Sequence, residues 1–255
     1  MQKDIHKEDK IFSTVRDFSF FLDTDVGSIL FDQQLSVFNK YSSSFIGYNL
    51  LQLSIQNKKK LTQNTKVGHY VDMALTVDKG KDFSILQSNY LDFPIASDCF
   101  DNLILHHILD YSSNPCQVLR ESDRVLRDGG NLMIMSFNPI SSLPFVSLFS
   151  LLMKCSFPKP QFVRKGRVID WLTILNYEIS HQELFFYRLP INNNWLQKKT
   201  AWLDPLGQSI KLPIGLCYFL IAKKRSSPIN PIHTSWSSIV KSAKQASVTP
   251  QQKNT

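Results

Sequence analysis

Residues 99–137 contain an apolar run, an amphipathic segment and a second apolar run in succession, and this order constrains the fold more than any other feature of the chain. The runs 99–105 and 131–137 have the length and composition of buried strands. Residues 114–127 between them separate leucines and valines from arginines at helical spacing, which predicts a helix. Strands that alternate with helices favour βαβ units and a parallel sheet. The sequence therefore predicts an α/β fold.

Further elements flank this unit. Residues 25–40 place apolar side chains at helical spacing and predict an amphipathic helix, with the amides of Gln33 and Gln34 falling between the apolar positions. Short apolar runs bounded by turn residues predict strands at 48–53, 67–75, 84–87, 177–186 and 216–222, and a further helix is predicted at 168–175.

The positive charge of the chain is concentrated near its C-terminus. The net charge is +8, but residues 223–255 hold six basic residues and no acid, and without them the chain has 23 basic against 21 acidic residues. Residues 226–255 are also poor in large apolar side chains, so we predict a basic, disordered tail. A plain solvated tail is favoured over a contact with nucleic acid or an anionic membrane. Residues 1–24 are predicted to be an N-terminal extension, and 25–225 the folded domain.

Other classes of protein are not expected. The four cysteines are far apart and lack metal-ligand spacing, so neither a disulfide framework nor a metal site is predicted. The N-terminus is polar and contains acids, unlike a signal peptide. The longest strongly apolar stretch, 143–153, is too short and too interrupted to span a bilayer. We therefore expect a cytoplasmic protein.

Several stretches resemble a known family. The segments LDFPIASDCFD, NLILHHILDY and NPCQVLRESDRVLRDGGNLMI resemble class I S-adenosylmethionine (SAM)-dependent methyltransferases of the type 11 kind. Over roughly residues 25–232, DVGSILFDQQL, FIGYNLLQLS, FNPISSL and WLDPLG resemble the YafS-like group of these proteins. The resemblance implies a Rossmann-like sheet of seven strands, mostly parallel, with helices on both faces. It also implies SAM as cofactor, with S-adenosyl-L-homocysteine as product.

The resemblance places the site between strands 1 and 4. In an open α/β sheet, a ligand lies beyond the carboxyl ends of the strands, where the strand order reverses. The resemblance implies that an amide at Asn89 binds adenine. Tyr90 beside it is expected to pack either on the adenine or on the sheet. Either Asp72 or Asp78 is expected to bind the ribose, since each follows strand 1 by about 20 residues. The cofactor-binding residues predicted in this way are Gln52, Ser54, Asp72, Asn89, Tyr90 and His106.

His106 and His107 end strand 4 and are candidates for acid–base chemistry. An imidazole titrates near neutral pH and can remove a proton from an acceptor during methyl transfer. Successive residues of a strand point to opposite faces, so at most one of the two is expected to reach the acceptor. We assign the catalytic role to His107 and a cofactor contact to His106.

The family's glycine loop is missing from this sequence. A usual class I methyltransferase continues strand 1 into G-x-G-x-G, because the methionine part of SAM lies against backbone that a Cβ would obstruct. Here Ser54 stands where the YafS-like group has a glycine, although Gln52 and Ser54 can still hydrogen-bond the amino-acid portion of the cofactor. Two functions therefore remain open. One is a SAM-dependent methyltransferase with a small-molecule or lipid-like acceptor, and the other is a degenerate member of the fold that serves as an interaction or scaffold protein.

An insertion is predicted at about 140–167. Its apolar part, 140–153, is open to three interpretations: a lid over an apolar substrate, a shallow contact with lipid, or a buried helix of the domain. The basic residues of 154–167 fit either an anionic partner or a solvated loop.

Overall fold

The computed structural model describes residues 17–55, 61, 67–74, 85–87, 91–141, 162–188, 199–210 and 212–226. For 85–87 only the backbone is described. The chain divides into units 1–225 and 226–255, and the elements described here belong to the first of them. The predicted tail beyond residue 226 and most of the predicted insertion, 142–161, lie outside the described residues.

One twisted sheet organises the described residues. Its seven strands lie in the order β3-β2-β1-β4-β5-β7-β6, and they are parallel except for β7, which is antiparallel to both β5 and β6. The predicted α/β, Rossmann-like class is confirmed. The strands are β1 Asn49–Ser54, β2 His69–Ala74, β3 Ile85–Gln87, β4 Phe100–His106, β5 Leu126–Phe137, β6 Tyr177–Phe185 and β7 Cys217–Lys224.

Helices connect these strands and pack on the sheet. Thr24 caps the long helix before β1 by accepting the N–H of Gly27, and Asn114 caps the helix between β4 and β5 by accepting the N–H of Gln117. Residues 17–22 are also helical, and Ser42–Ser44 form a 3₁₀ turn. The helices are α1 Asp25–Tyr41, α2 Ile108–Tyr111, α3 Pro115–Val125, α4 Lys165–Ile174 and α5 Leu203–Ile210. None of these described helices is long and apolar enough to cross a membrane.

Helix α1 crosses one face of the sheet. Near its middle, Phe31 meets the ring of His106 edge-on, with 6.3 Å between the ring centroids. At its end, Tyr41 stacks on Phe219 at 5.2 Å and donates a hydrogen bond to the Glu183 carboxylate. Burial of the apolar side of α1 thus fixes the helix over the region from the end of β4 to β6.

Asp101 lies at the start of β4 and fixes the edge of the sheet where the parallel strands begin. One carboxylate oxygen of Asp101 accepts the backbone N–H groups of Tyr48 and Asn49, and the other accepts a hydrogen bond from Arg127 at 2.9 Å. Gly47 packs against this carboxylate with φ at +144°, and a Cβ there would lie 2.4 Å from Asp101 Cβ. Only glycine fits this approach.

Candidate functional site

The strand order reverses between β1 and β4, which are adjacent and parallel at the centre of the sheet. Their last residues, Ser54 and His106, are register partners and lie at the same edge. Open α/β sheets hold ligands in the crevice at such a reversal. The structure therefore brings two of the predicted cofactor residues together at the expected position.

Ser54 is fully buried and faces β2. Its hydroxyl donates a 3.3 Å hydrogen bond to the carboxylate of Asp72, which is also fully buried. Asp72 lies two residues before the end of β2 and pairs in register with Gln52. The structure thus places Asp72 inside the sheet beside β1, on the face that carries Ser54.

Gln52 precedes Ser54 by two residues in β1 and lies on the same face of the sheet. Its side chain is fully buried, and neither its amide nitrogen nor its amide oxygen has a hydrogen-bond partner among the described residues. A buried amide in this state costs about 1–3 kcal/mol. Such a group fits a ligand that presents both a donor and an acceptor.

Gln34 of α1 joins the two histidines at the end of β4. Its amide oxygen lies 2.9 Å from Nε2 of His106, and its amide nitrogen lies 2.8 Å from Nε2 of His107. In this orientation His106 carries its proton on Nε2, and His107 accepts at Nε2 and carries its proton on Nδ1. One glutamine side chain therefore sets the tautomers of both rings.

His107 has left-handed backbone geometry, with φ at +58°. Its ring therefore turns toward α1 and approaches the ring of His106, with 4.8 Å between the centroids. The expectation that the two histidines point to opposite faces is wrong, because strand alternation ends where the backbone leaves the extended region.

Asp110 completes this buried chain of hydrogen bonds. Its Oδ2 lies 2.9 Å from Nδ1 of His107 and accepts the backbone N–H of Phe137 at 3.0 Å. The ring of Phe137 packs on His107 with 4.3 Å between the centroids. The network thus ties α1, the end of β4, α2 and the end of β5 together. We name the group of Gln34, His106, His107 and Asp110 the imidazole network.

Burial keeps the imidazoles uncharged. It lowers the pKa of His107 to about 3. Burial is also the larger cause that lowers the pKa of His106 well below its usual value, and the neighbouring His107 is the smaller cause. Burial also raises the pKa of Asp110 well above its usual value, against the opposing hydrogen bond from Phe137. His107 therefore binds a proton weakly at neutral pH, and its catalytic role stays a prediction.

The remaining predicted site residues lie outside the described residues. These are Asn89, Tyr90 and the alternative ribose ligand Asp78. Their roles stay predictions. Among the residues in place, Gln52, Ser54, Asp72 and His106 share one face of the sheet.

Gln34 is a site residue that the sequence analysis missed. The helix prediction set it between the apolar positions of α1, whereas the structure buries it completely. The signal was available, because Gln34 is four residues from both Leu30 and Phe38, which are buried. Residues four apart lie on one helix face.

Comparison with known proteins identifies the family. Residues 25–134 match the family described as a methyltransferase domain. The chain is 30% identical over 199 residues to the uncharacterised protein YafS of Escherichia coli K12, a match that covers 77% of this chain and 78% of that protein. The chain belongs to the YafS-like group of the methyltransferase domain family. This family implies SAM as the cofactor.

Solved methyltransferase structures share the fold of this YafS-like protein. A SAM-dependent methyltransferase of Thermotoga maritima superposes with a TM-score of 0.57 at 13% identity, over 84% of this chain and 98% of that one. One from Archaeoglobus fulgidus gives 0.54 at 16% identity, over 76% of this chain and 94% of that one. At these identities the likeness establishes the fold alone.

The crevice residues offer suitable hydrogen-bonding groups for the cofactor, but one of them reduces the space for it. The amide of Gln52 offers a donor and an acceptor, and the amino-acid part of SAM carries an ammonium and a carboxylate that match them. Ser54, in contrast, adds a Cβ and a hydroxyl at the position where the resemblance to the family predicts a glycine. The residues present therefore fit SAM, with less room at the end of β1.

Proposed function

We propose that this protein binds SAM at the ends of β1 and β4 and transfers its methyl group to a small-molecule or lipid-like acceptor. The observation that carries the proposal is the buried amide of Gln52, which lacks a partner among the described residues. The family match supports the same cofactor. We expect the protein to act in the cytoplasm.

The residues of the crevice bind and orient. SAM, when bound, supplies an electrophilic methyl group on a sulfonium. Gln52 would hold the amino-acid portion with two hydrogen bonds, one donated by its amide nitrogen and one accepted by its amide oxygen. Ser54 remains bonded to Asp72 and sets the floor of the crevice. Orientation and exclusion of water account for most of the rate in such a site.

His106 borders the crevice beside Ser54. Its Nε2 proton is held by Gln34, so its Nδ1 keeps a lone pair that can accept a hydrogen bond. Its lowered pKa keeps the ring neutral, which avoids placing a cation beside the sulfonium. We therefore assign His106 to cofactor or acceptor binding.

His107 is assigned a positioning role in this proposal. It touches Gln34, Asp110 and Phe137, and it is completely buried. Its pKa near 3 makes it a weak base. Its effect on the reaction is therefore expected to pass through Gln34, which holds His106.

The test is a Gln52→Leu variant titrated with SAM by calorimetry. We expect its Kd to rise about tenfold or more, because a hydrogen bond to a charged group contributes about 1.5–3 kcal/mol. The free energy of unfolding should stay equal or rise, because leucine fills the space without an unpaired amide.

Gln117→Leu is the matched control, since Gln117 on α3 donates a weak bond to the carbonyl of Leu91. It should leave SAM affinity unchanged. Unchanged affinity in Gln52→Leu, with the wild type binding, would contradict the role of Gln52.

A second candidate function is a degenerate scaffold, which Ser54 specifically favours. Ser54 is buried at the position where the resemblance to the family predicts a glycine. A Ser54→Gly variant separates the two functions. Binding of SAM in the wild type excludes the scaffold, whereas binding gained only in Ser54→Gly means that the fold has lost its cofactor.

A further inference from the structure

Only one member of the imidazole network has any exposed surface. His106 keeps 3% of its surface exposed, whereas Gln34, His107 and Asp110 keep none. His106 ends β4 beside Ser54 of β1, where the strand order reverses. Its Nε2 is already bonded to Gln34, and among the described residues its Nδ1 has no hydrogen-bond partner. The atom of the network that is left for a ligand is therefore Nδ1 of His106.

The direction of the hydrogen bonds in the network is fixed from its buried end. A backbone N–H can only donate, and that of Phe137 donates to Oδ2 of Asp110, so this oxygen is an acceptor. The same oxygen lies 2.9 Å from Nδ1 of His107, so Nδ1 carries the proton of this ring and Nε2 accepts. The amide of Gln34 then turns its nitrogen to His107 and its oxygen to His106. His106 therefore donates from Nε2, and its Nδ1 keeps a lone pair.

Aromatic packing holds the ring of His107 in this orientation. Its centroid lies 5.4 Å from the ring of Phe18 and 4.3 Å from the ring of Phe137. Phe18 belongs to the helical residues 17–22 and is itself buried. A half-turn of the His107 ring would carry Nδ1 away from Asp110 and leave buried polar groups without partners. The direction of the hydrogen bonds is therefore a fixed property of the folded chain.

We propose that Asp110 is a positioning residue whose effect reaches the crevice through His107 and Gln34, and that the ligand group beside His106 is a hydrogen-bond donor. A hydroxyl or an N–H satisfies the lone pair of Nδ1, whereas a carboxylate or phosphate oxygen would set two acceptors against each other. The cofactor and the methyl acceptor can both carry such a donor. The proposal rests on the proposed function only in taking the crevice as the ligand site.

The test reads the tautomer of each ring in isotope-labelled full-length protein by long-range proton–nitrogen correlation, which separates a protonated ring nitrogen from one with a lone pair. His106→Gln and His107→Phe identify the two sets of signals by their loss. The matched pair of variants is Asp110→Asn and Asp110→Leu. Asparagine can place its oxygen at the position of Oδ2 and its nitrogen at that of Oδ1, which has no partner among the described residues. Leucine removes the acceptor.

We expect the wild type and Asp110→Asn to carry the proton of His106 on Nε2 and that of His107 on Nδ1. In Asp110→Leu the ratio of the two His106 tautomers should fall about tenfold, which corresponds to one lost hydrogen bond of about 1.4 kcal/mol. His107→Phe should also lower this ratio, because it cuts the connection between Asp110 and Gln34. This variant keeps the bond from Phe137 to Asp110, so it serves as the test if Asp110→Leu does not fold.

Three results would overturn the proposal. The first is a proton on Nδ1 of His106 in the wild type. The second is an unchanged tautomer ratio of His106 in the folded Asp110→Leu and His107→Phe variants. The third is an Asp110→Asn variant that changes the ratio as much as Asp110→Leu, because the loss would then follow from any disturbance at this position.

Addition of S-adenosyl-L-homocysteine separates the two sources of the donor. A shift of the Nδ1 signal of His106, with Nε2 still protonated, supports the proposal and assigns the donor to the cofactor. Binding without such a shift supports it with the methyl acceptor as the donor. A move of the proton to Nδ1 on binding would overturn it. Absence of binding would contradict the proposed function alone, because the tautomers are read without a ligand.

Discussion

Substitution of Gln34 by leucine tests the imidazole network. The amide of Gln34 holds Nε2 of His106 at 2.9 Å and Nε2 of His107 at 2.8 Å, and all three side chains are buried. Leucine has nearly the same volume, so it opens little cavity. It leaves one buried donor and one buried acceptor without partners, each of which costs about 1–3 kcal/mol. We expect the free energy of unfolding to fall by about 2–6 kcal/mol.

Urea denaturation of the full-length chain measures this loss. Asn39→Leu is the control on the same helix, because Asn39 is exposed. We expect this control to change the free energy of unfolding by about 0.5 kcal/mol or less. A Gln34→Leu variant that loses no more stability than Asn39→Leu would refute the reasoning.

Two further predictions concern pH and the backbone. Burial depresses the pKa of His106, so acidification protonates this group first in the unfolded chain. Stability is therefore lost as pH falls below about 6.5, by about 2 kcal/mol between pH 7 and 5 for one group. The pKa values of His107 and Asp110 shift in opposite directions, so their contributions to the pH dependence have opposite signs. Denaturation at both pH values should show that His106→Gln lacks this loss, and an unchanged pH dependence would contradict the assignment. Gly47→Ala should cost about 2 kcal/mol or more, since its Cβ would meet Asp101 at a positive φ; a thermal melt within error of wild type would contradict this.

The sequence was sufficient to predict the positions of the main helices and strands. The predicted helix 25–40 is Asp25–Tyr41, and the predicted strand 99–105 is Phe100–His106. The helical segment has strong apolar periodicity and the strand segment is strongly apolar. Tertiary packing buries the same residues that these patterns predict to be buried. The end of β4 was predicted as a site because the family resemblance implies that strands 1 and 4 border the crevice where the strand order reverses.

The details of the site were less accessible. Gln34 is polar, and a helix prediction that uses only apolar positions does not identify a polar residue as buried. The meeting of His106 and His107 depends on the left-handed backbone of His107, which no periodicity indicates. The role of Gln34 arises only when a helix and a strand far apart in the chain come together.

Helix α5 was not predicted for a related reason. Its apolar residues are spaced four apart, as in a helix, but they point away from the core. The residues that hold it, Asp204 and Gly207, are of types common in turns. Its orientation follows from Arg188 and Gln33, which are distant in sequence.

The most direct test of the central claim is calorimetric titration of the wild-type protein with S-adenosyl-L-homocysteine, which binds without reacting. The proposed crevice predicts a single site with a micromolar Kd, weakened in Gln52→Leu and unchanged in Gln117→Leu. An absence of binding to the folded wild type would contradict the account, and the methyltransferase fold would then serve another function.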